Sequence, residues 1–236
     1  MKFIDGFRNS ETATAISRRI ADLSDKIGRR VTIMEVCGTH TMSIAKFAIR
    51  NLLPQNIRLV SGPGCPVCVT PQGYIDAAIS LAEEGKHIVT FADMMNVPGT
   101  SSSLTKARSE GANVQTCYSP EFAIEAAEMN QDAEVVFLGV GFETTIGPVT
   151  NIVSVAYARK IPNLSMLTAF KLIPPAMHAL AADSELKIDA FLCPAHVSAI
   201  IGAEAYRPFA TEYHRPCVIA GFEPLDILFG IEKILL

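Results

Sequence analysis

The chain has 236 residues, with 20 lysines and arginines against 24 aspartates and glutamates, for a formal net charge of −4. Hydrophobic residues make up 49% and charged residues 19%, a composition that builds a buried core and excludes a disordered chain. The mild acidity, without a basic run to meet phosphates, excludes nucleic acid as an expected partner.

In chain order, helical spacing at residues 12–26 leads into an apolar strand at 31–36. A helix at 41–52 follows, then a strand at 57–61, a helix at 74–84, a strand at 87–91, a helix at 103–110 and a strand at 113–117. The second half continues with a helix at 121–130, a strand at 134–138, a helix at 145–159, and strands at 165–169, 188–192 and 217–220. In the 74–84 segment Ile75, Ala78, Ile79 and Ala82 recur at helical intervals. Ser119-Pro120-Glu121 is a helix start, with proline in the first turn. Most strands are continuously apolar, the pattern of strands covered on both faces in a parallel sheet.

Such alternation predicts an α/β fold of two Rossmann-like units with mainly parallel sheets and motifs at the strand C-terminal ends. The expected division is a first unit over 1–118, completed by 217–236, and a second over 119–216. A short echo supports two halves: an apolar strand runs into Gly141-Phe142-Glu143 and another into Gly221-Phe222-Glu223. The chain ends at Ile231 to Leu236 inside an amphipathic pattern with no stop signal, which leads us to expect truncation or a docked terminus.

The first 30 residues carry Asp5, Glu11, Asp22 and Asp25 and lack an apolar segment, so no signal peptide is expected. No run of about 18 apolar residues offers a membrane span. The expected location is cytoplasmic, where six cysteines read as thiols, metal ligands or redox groups rather than structural bridges.

The chemistry-bearing residues cluster at strand exits, where open α/β sheets bind ligands. Cys37 and His40 lie in Glu35-Val36-Cys37-Gly38-Thr39-His40-Thr41, after the first strand. A thiolate there suits iron, zinc or copper(I), and His40 is a ligand, a proton relay or a capping group; an inert buried cysteine beside a satisfied histidine is the plain alternative. Gly62-Pro63-Gly64-Cys65-Pro66-Val67-Cys68 follows the second strand. Gly62 and Gly64 set a tight backbone, and Cys65 and Cys68 are spaced for a disulfide or a shared metal. A zinc knuckle is disfavoured, because no second close Cys/His pair completes four ligands. Asp93 follows the third strand. Gly139-Val140-Gly141 leads into Glu143-Thr144-Thr145, whose amides and hydroxyls could cradle an anion while Glu143 moves protons; N-capping by the threonines is the alternative. No Gly-Lys-Ser/Thr follows, so a P-loop hydrolase is disfavoured. His196 sits in Cys193-Pro194-Ala195-His196-Val197-Ser198, while Cys117, Cys193 and Cys217 read as core thiols.

Together the stretches Met34 to Thr41, Gly62 to Val69, Asp93, Val97-Pro98-Gly99, Gly139 to Thr145, Pro194 to Ser198, Gly202 and His214-Arg215-Pro216 to Asp226 resemble the HypD family of hydrogenase maturation proteins, in family order. The resemblance implies a scaffold with redox-active thiols, rather than a conventional enzyme, that supports assembly of the Fe(CN)2CO group of nickel–iron hydrogenases. It implies a HypC-like small chaperone as partner, HypE as cyanide donor, and no membrane partner. By motif it makes Cys37 the iron-binding cysteine and Cys65 and Cys68 the redox-active or iron-associated pair, with His40, Asp93, Glu143 and His196 lining the cleft. Family members also carry a 4Fe-4S cluster on a C-terminal cysteine-rich region; no cysteine follows Cys217 here, so that cluster is expected to be absent from this chain. The rival reading is a thiol–disulfide oxidoreductase using Cys65 and Cys68, which would not need Cys37.

Overall fold

The computed structural model describes residues 4–236. In chain order its strands are β1 (Val31–Glu35), β2 (Ile57–Ser61), β3 (His87–Phe91), β4 (Val114–Cys117), β5 (Val135–Gly141), β6 (Leu164–Phe170), β7 (Ala190–Pro194) and β8 (Cys217–Ala220). The helices are α1 (Ser10–Ile27), α2 (Gly38–Lys46), α3 (Gln72–Glu83), α4 (Leu104–Ser109), α5 (Phe122–Met129), α6 (Glu143–Ala158), α7 (Ile173–Ala182), α8 (Ala195–Ile201), α9 (Arg207–Thr211) and α10 (Pro224–Leu235).

Two four-stranded parallel sheets form, in the orders β2-β1-β7-β8 and β4-β3-β5-β6. The α/β expectation of two parallel-sheet units is met. The division is not the expected one. The first unit is the chain up to Cys65 together with Leu172–Leu236, and the second is the continuous segment Pro66–Lys171. The expected boundary at 118/119 therefore falls inside the second unit, between β4 and α5. The reason is pairing. β3 bonds to β5 instead of extending the first sheet, and β7 returns to β1 with Ile33 opposite Ala190 and Glu35 opposite Leu192.

In the first unit the central strands are covered on both faces: every residue of β1 and of β7 is buried, and only Thr32 and Glu35 of β1 are polar. The edge strand β2 alternates, with Ile57 and Leu59 in and Arg58 out. Helix α1 starts at Asn9, whose side chain accepts from Thr12 N at 2.8 Å, and stops at Gly28 with φ 66°. Its Ile16 and Ile20 are fully buried beside Ile227, Leu228 and Ile231 of α10. Each such side chain contributes on the order of 1.5–3 kcal/mol by leaving water. Arg19 of α1 forks onto Glu232 of α10 across the same seam.

In the second unit all seven residues of β5 are buried. One face carries Ile75, Ile79, Leu104, Val136 and Leu138. The other carries Ala123, Ala127, Phe137, Val149 and Ile152, with Phe91 edge-on to Phe137 at 5.6 Å. Glycines let β5 run on to Gly141, three residues past the predicted strand end. Gly141 is required there, because a β-carbon would stand 2.8 Å from Thr145 Oγ1.

Candidate functional site

In the first unit Cys37 is the N-cap residue of α2, in extended conformation with φ −155° and ψ 128°, and 7% exposed. The Gly-Pro-Gly segment after β2 runs directly against it. Gly62 N donates to Glu35 O at 2.8 Å, and Gly38 N donates to Gly64 O at 3.2 Å. A β-carbon on Gly64 would stand 2.7 Å from Cys37 Cα, and one on Gly62 would stand 2.8 Å from Met34 Sδ. Only residues without a side chain allow this approach. Cys65 ends the segment, half-buried.

Behind Cys37 lies Glu35, a carboxyl only 1% exposed. Its Oε1 accepts from Ser61 Oγ at 2.8 Å and from Thr41 Oγ1 at 3.0 Å. These bonds tie the end of β2 and the first turn of α2 to the end of β1. Burial raises the Glu35 carboxyl above its ordinary range, against the lowering pull of the Ser61 and Thr41 hydroxyls. Sequence reasoning quoted Glu35 within its motif but gave it no role. The available signal was an acid closing an otherwise apolar central strand.

His40 is fully buried. Its Nε2 lies 2.9 Å from Gly221 O. A carbonyl only accepts, so Nε2 carries the proton and Nδ1 keeps the lone pair. Among the described residues Nδ1 has no hydrogen-bond partner. Burial, the leading cause, holds the imidazole below its ordinary value, with the charge of His196 adding to it and the Gly221 and Ala220 carbonyls opposing. His40 is therefore neutral near pH 7 and offers a lone pair rather than a proton.

Phe222, to which sequence reasoning also gave no role, stands between the two histidines. Its ring lies 4.8 Å from His40 and 5.1 Å from that of His196, an exposed residue in the first turn of α8. The loop carrying Phe222 is fixed from both sides. Arg8 grips Glu223 with two hydrogen bonds of 2.5 and 2.8 Å, and Glu223 with Asp226 forms a capping box at the start of α10. The exits of β1, β2, β7 and β8 thus bring together Cys37, His40, Gly62, Gly64, Cys65 and His196 in one unit.

The remaining predicted site residues belong to the second unit. Cys68 is exposed, in a turn over residues 66–69 that Thr70 closes by donating through Oγ1 to Pro66 O at 2.9 Å. The turn does not feed a helix directly, since α3 begins at Gln72. Asp93 is exposed on a short 3-10 turn, Ala92–Met94, after β3. Glu143 is buried at the first position of α6, and Thr144 and Thr145 complete that turn. The threonines do not cap it: the N-cap is Phe142, with no side-chain capping bond, and Thr145 packs against Gly141.

The thiols expected in the core are of two kinds. Cys117 and Cys193 are buried, while Cys217 is half-buried. Burial pushes the Cys117 thiol up to about 11. The Cys193 thiol is raised well above its ordinary value by hydrogen bonding to Cys217 and then by burial. Among the described residues no group of three or more His, Cys, Asp or Glu side chains is gathered as a metal cage.

The model of a protein family described as HypD, hydrogenase formation hypA family, matches residues 11–236. The chain is 46% identical over 235 residues to a hydrogenase maturation factor HypD of Azotobacter vinelandii, covering 97% of this chain and 62% of that protein. It is 45% identical to a hydrogenase expression/formation protein HupD of Azotobacter chroococcum, with the same coverage. It is 42% identical over 236 residues to the HypD of Escherichia coli K12, covering 98% of this chain and 63% of that protein. The chain spans less than two thirds of the length of these relatives. With the family match running through both sheets and through the Cys37, Cys65-Pro66-Val67-Cys68 and Glu143 motifs, the chain belongs to the HypD family.

Proposed function

We propose that this chain serves hydrogenase maturation as an iron-handling scaffold. In this reading the iron is cargo, held through the Cys37 thiolate while cyanide and carbon monoxide are added, and a HypC-like small chaperone shares it. HypE is the cyanide donor, and the Cys65 and Cys68 thiols exchange electrons.

One observation carries the reading. Cys37 is clamped at the exit of a central strand by Gly38, Gly62 and Gly64, in the same unit as a neutral buried histidine whose Nδ1 lone pair is unused among the described residues. A soft thiolate held on a rigid backbone suits a low-spin iron. The chain's own residues then do three things. The Gly64 backbone keeps the cysteine in one orientation. Glu35, with Ser61 and Thr41, fixes the strand and helix ends on either side of it. Phe222 shields His40 from water, which keeps the imidazole neutral.

The test is anaerobic co-purification with a HypC-like partner, followed by iron analysis and infrared spectroscopy. Iron bound near one equivalent per complex, with cyanide and carbon monoxide bands, supports the reading. A stable complex without iron or such bands contradicts it.

A further inference from the structure

On the first unit, away from Cys37, a cavity of about 300 Å³ opens beside the edge strand β2. Three arginines line it, Arg30, Arg50 and Arg58, with Gln55 and an apolar floor of Leu53, Ile57 and Leu59. No carboxylate is among the lining residues. This is unusual for the chain, whose net charge is −4. Elsewhere on the same unit Arg8 pairs with Glu223, Arg19 with Glu232, Arg29 with Asp189 and Arg207 with Glu204, while Arg18 and Arg215, which do not line the cavity, form no ion pair among the described residues. Among the described residues Arg30, Arg50 and Arg58 form no ion pair, and the side chains of Arg30 and Arg58 make no hydrogen bond.

The local backbone sets this cluster. Helix α2 ends at Lys46 with Phe47 as its C-cap, and Ala48 takes a left-handed conformation with φ 50° before a 3-10 turn over Ile49–Leu52. An alanine rarely adopts that region without a compensating contact. The turn it starts carries Arg50, whose Nη1 donates to Leu59 O at 2.7 Å. That single bond leaves the rest of the guanidinium fork available. Arg58 projects from β2, paired in register with Thr32, and Arg30 immediately precedes β1.

We infer that this cavity is a binding site for a phosphoryl group, carried by inorganic phosphate or by a small phosphate ester. Guanidinium groups meet phosphate oxygens with paired N–H donors, and several of them around one small cavity satisfy more than one oxygen at once. Arg30 and Arg58 are unpaired, and Arg50 acts besides only on the buried Glu35 carboxyl and the Leu59 carbonyl, so the cluster matches a dianion better than a monocarboxylate. The cavity volume lies at the small end of ligand sites, which suits a phosphate with a short substituent on the Leu53, Ile57 and Leu59 floor.

The experiment is calorimetric titration of the purified chain with inorganic phosphate and with phenyl phosphate, against sodium chloride at matched ionic strength. Saturable binding of either phosphate, absent with chloride, is the expected result. Tighter binding of phenyl phosphate would identify an ester as the source, and equal binding a free phosphate. Arg30→Gln and Arg58→Gln, both at exposed positions and each checked for an unchanged melting temperature, are each expected to weaken binding about tenfold. Arg58→Lys, which keeps the charge but loses the fork, should fall between. Heats indistinguishable from chloride, or phosphate binding unchanged in both glutamine variants, would show a solvated basic face and overturn the proposal.

Discussion

Gly64 and Cys37 run backbone against backbone: Gly64 O accepts from the amide that follows Cys37, and a β-carbon on Gly64 would stand 2.7 Å from Cys37 Cα. The shape of the cysteine's surroundings thus depends on a residue 27 positions away that contributes no side chain. Gly64→Ala should cost about 1–3 kcal/mol of stability in the first unit, because the extra methyl has backbone and not a movable side chain in its way. Gly6→Ala, in the same unit with nothing within 4 Å, is the control and should stay within about 0.5 kcal/mol of the parent. Urea denaturation of both variants checks this. A Gly64→Ala protein as stable as the control would contradict the close approach.

The Arg19–Glu232 pair gives a pH signature. Its hydrogen bond with Arg19 lowers Glu232 from the ordinary glutamate value of 4.5. A depressed folded value means that the stabilisation is present above 4.5 and is lost as pH falls through the lower folded value. Arg19 is half exposed, so solvent screening keeps the pair's contribution to stability near pH 7 small. Glu232→Gln should be destabilised by that small amount at neutral pH and should converge with the parent in acid. A stability difference that does not change with pH would place the effect in packing instead.

The thiols should separate by reactivity. Cys68 is exposed, whereas burial pushes the Cys117 thiol up to about 11 and Cys193 is raised well above its ordinary value by Cys217 and burial. Since the thiolate is the nucleophile, iodoacetamide at pH 8 should label Cys68 first and leave Cys117 and Cys193 unmodified until the protein unfolds. Peptide mass spectrometry over a time course reads the order. Early labelling of Cys117 in the folded chain would contradict its placement.

The fold was largely legible because central parallel strands are mostly apolar, and residues 57–61, 87–91 and 217–220 stand as expected. Boundaries failed where local chemistry misled. No bounds are predicted for a helix after 165–169, and α7 starts on Ile173-Pro174-Pro175, its prolines occupying the first turn, where no amide hydrogen is missed. The strand predicted at 188–192 runs on through Cys193 and Pro194, which pair with β8 opposite Ile219 and Ala220. The predicted helix at 41–52 breaks at Ala48, where no glycine marks the left-handed turn. The placing of the unit boundary could not be read from patterns, because period and polarity do not say which strand pairs with which.

For the site, the glycines and cysteines were visible because their spacing is itself unusual. Glu35 and Phe222 were not. Their importance comes from what they touch, Ser61 and Thr41 in one case and two histidines in the other, and those contacts join segments as much as 182 residues apart in sequence, as between His40 and Phe222.

The most direct measurement compares Cys37→Ser with Cys117→Ser, each purified anaerobically with a HypC-like partner. Serine keeps the volume of cysteine but exchanges a soft ligand for a hard one. Both proteins should fold and bind the partner. Iron and the cyanide infrared bands should be lost from the Cys37→Ser complex and retained by the Cys117→Ser complex. Full iron and unchanged bands in the Cys37→Ser complex would contradict the central claim and move the centre to Cys65 and Cys68.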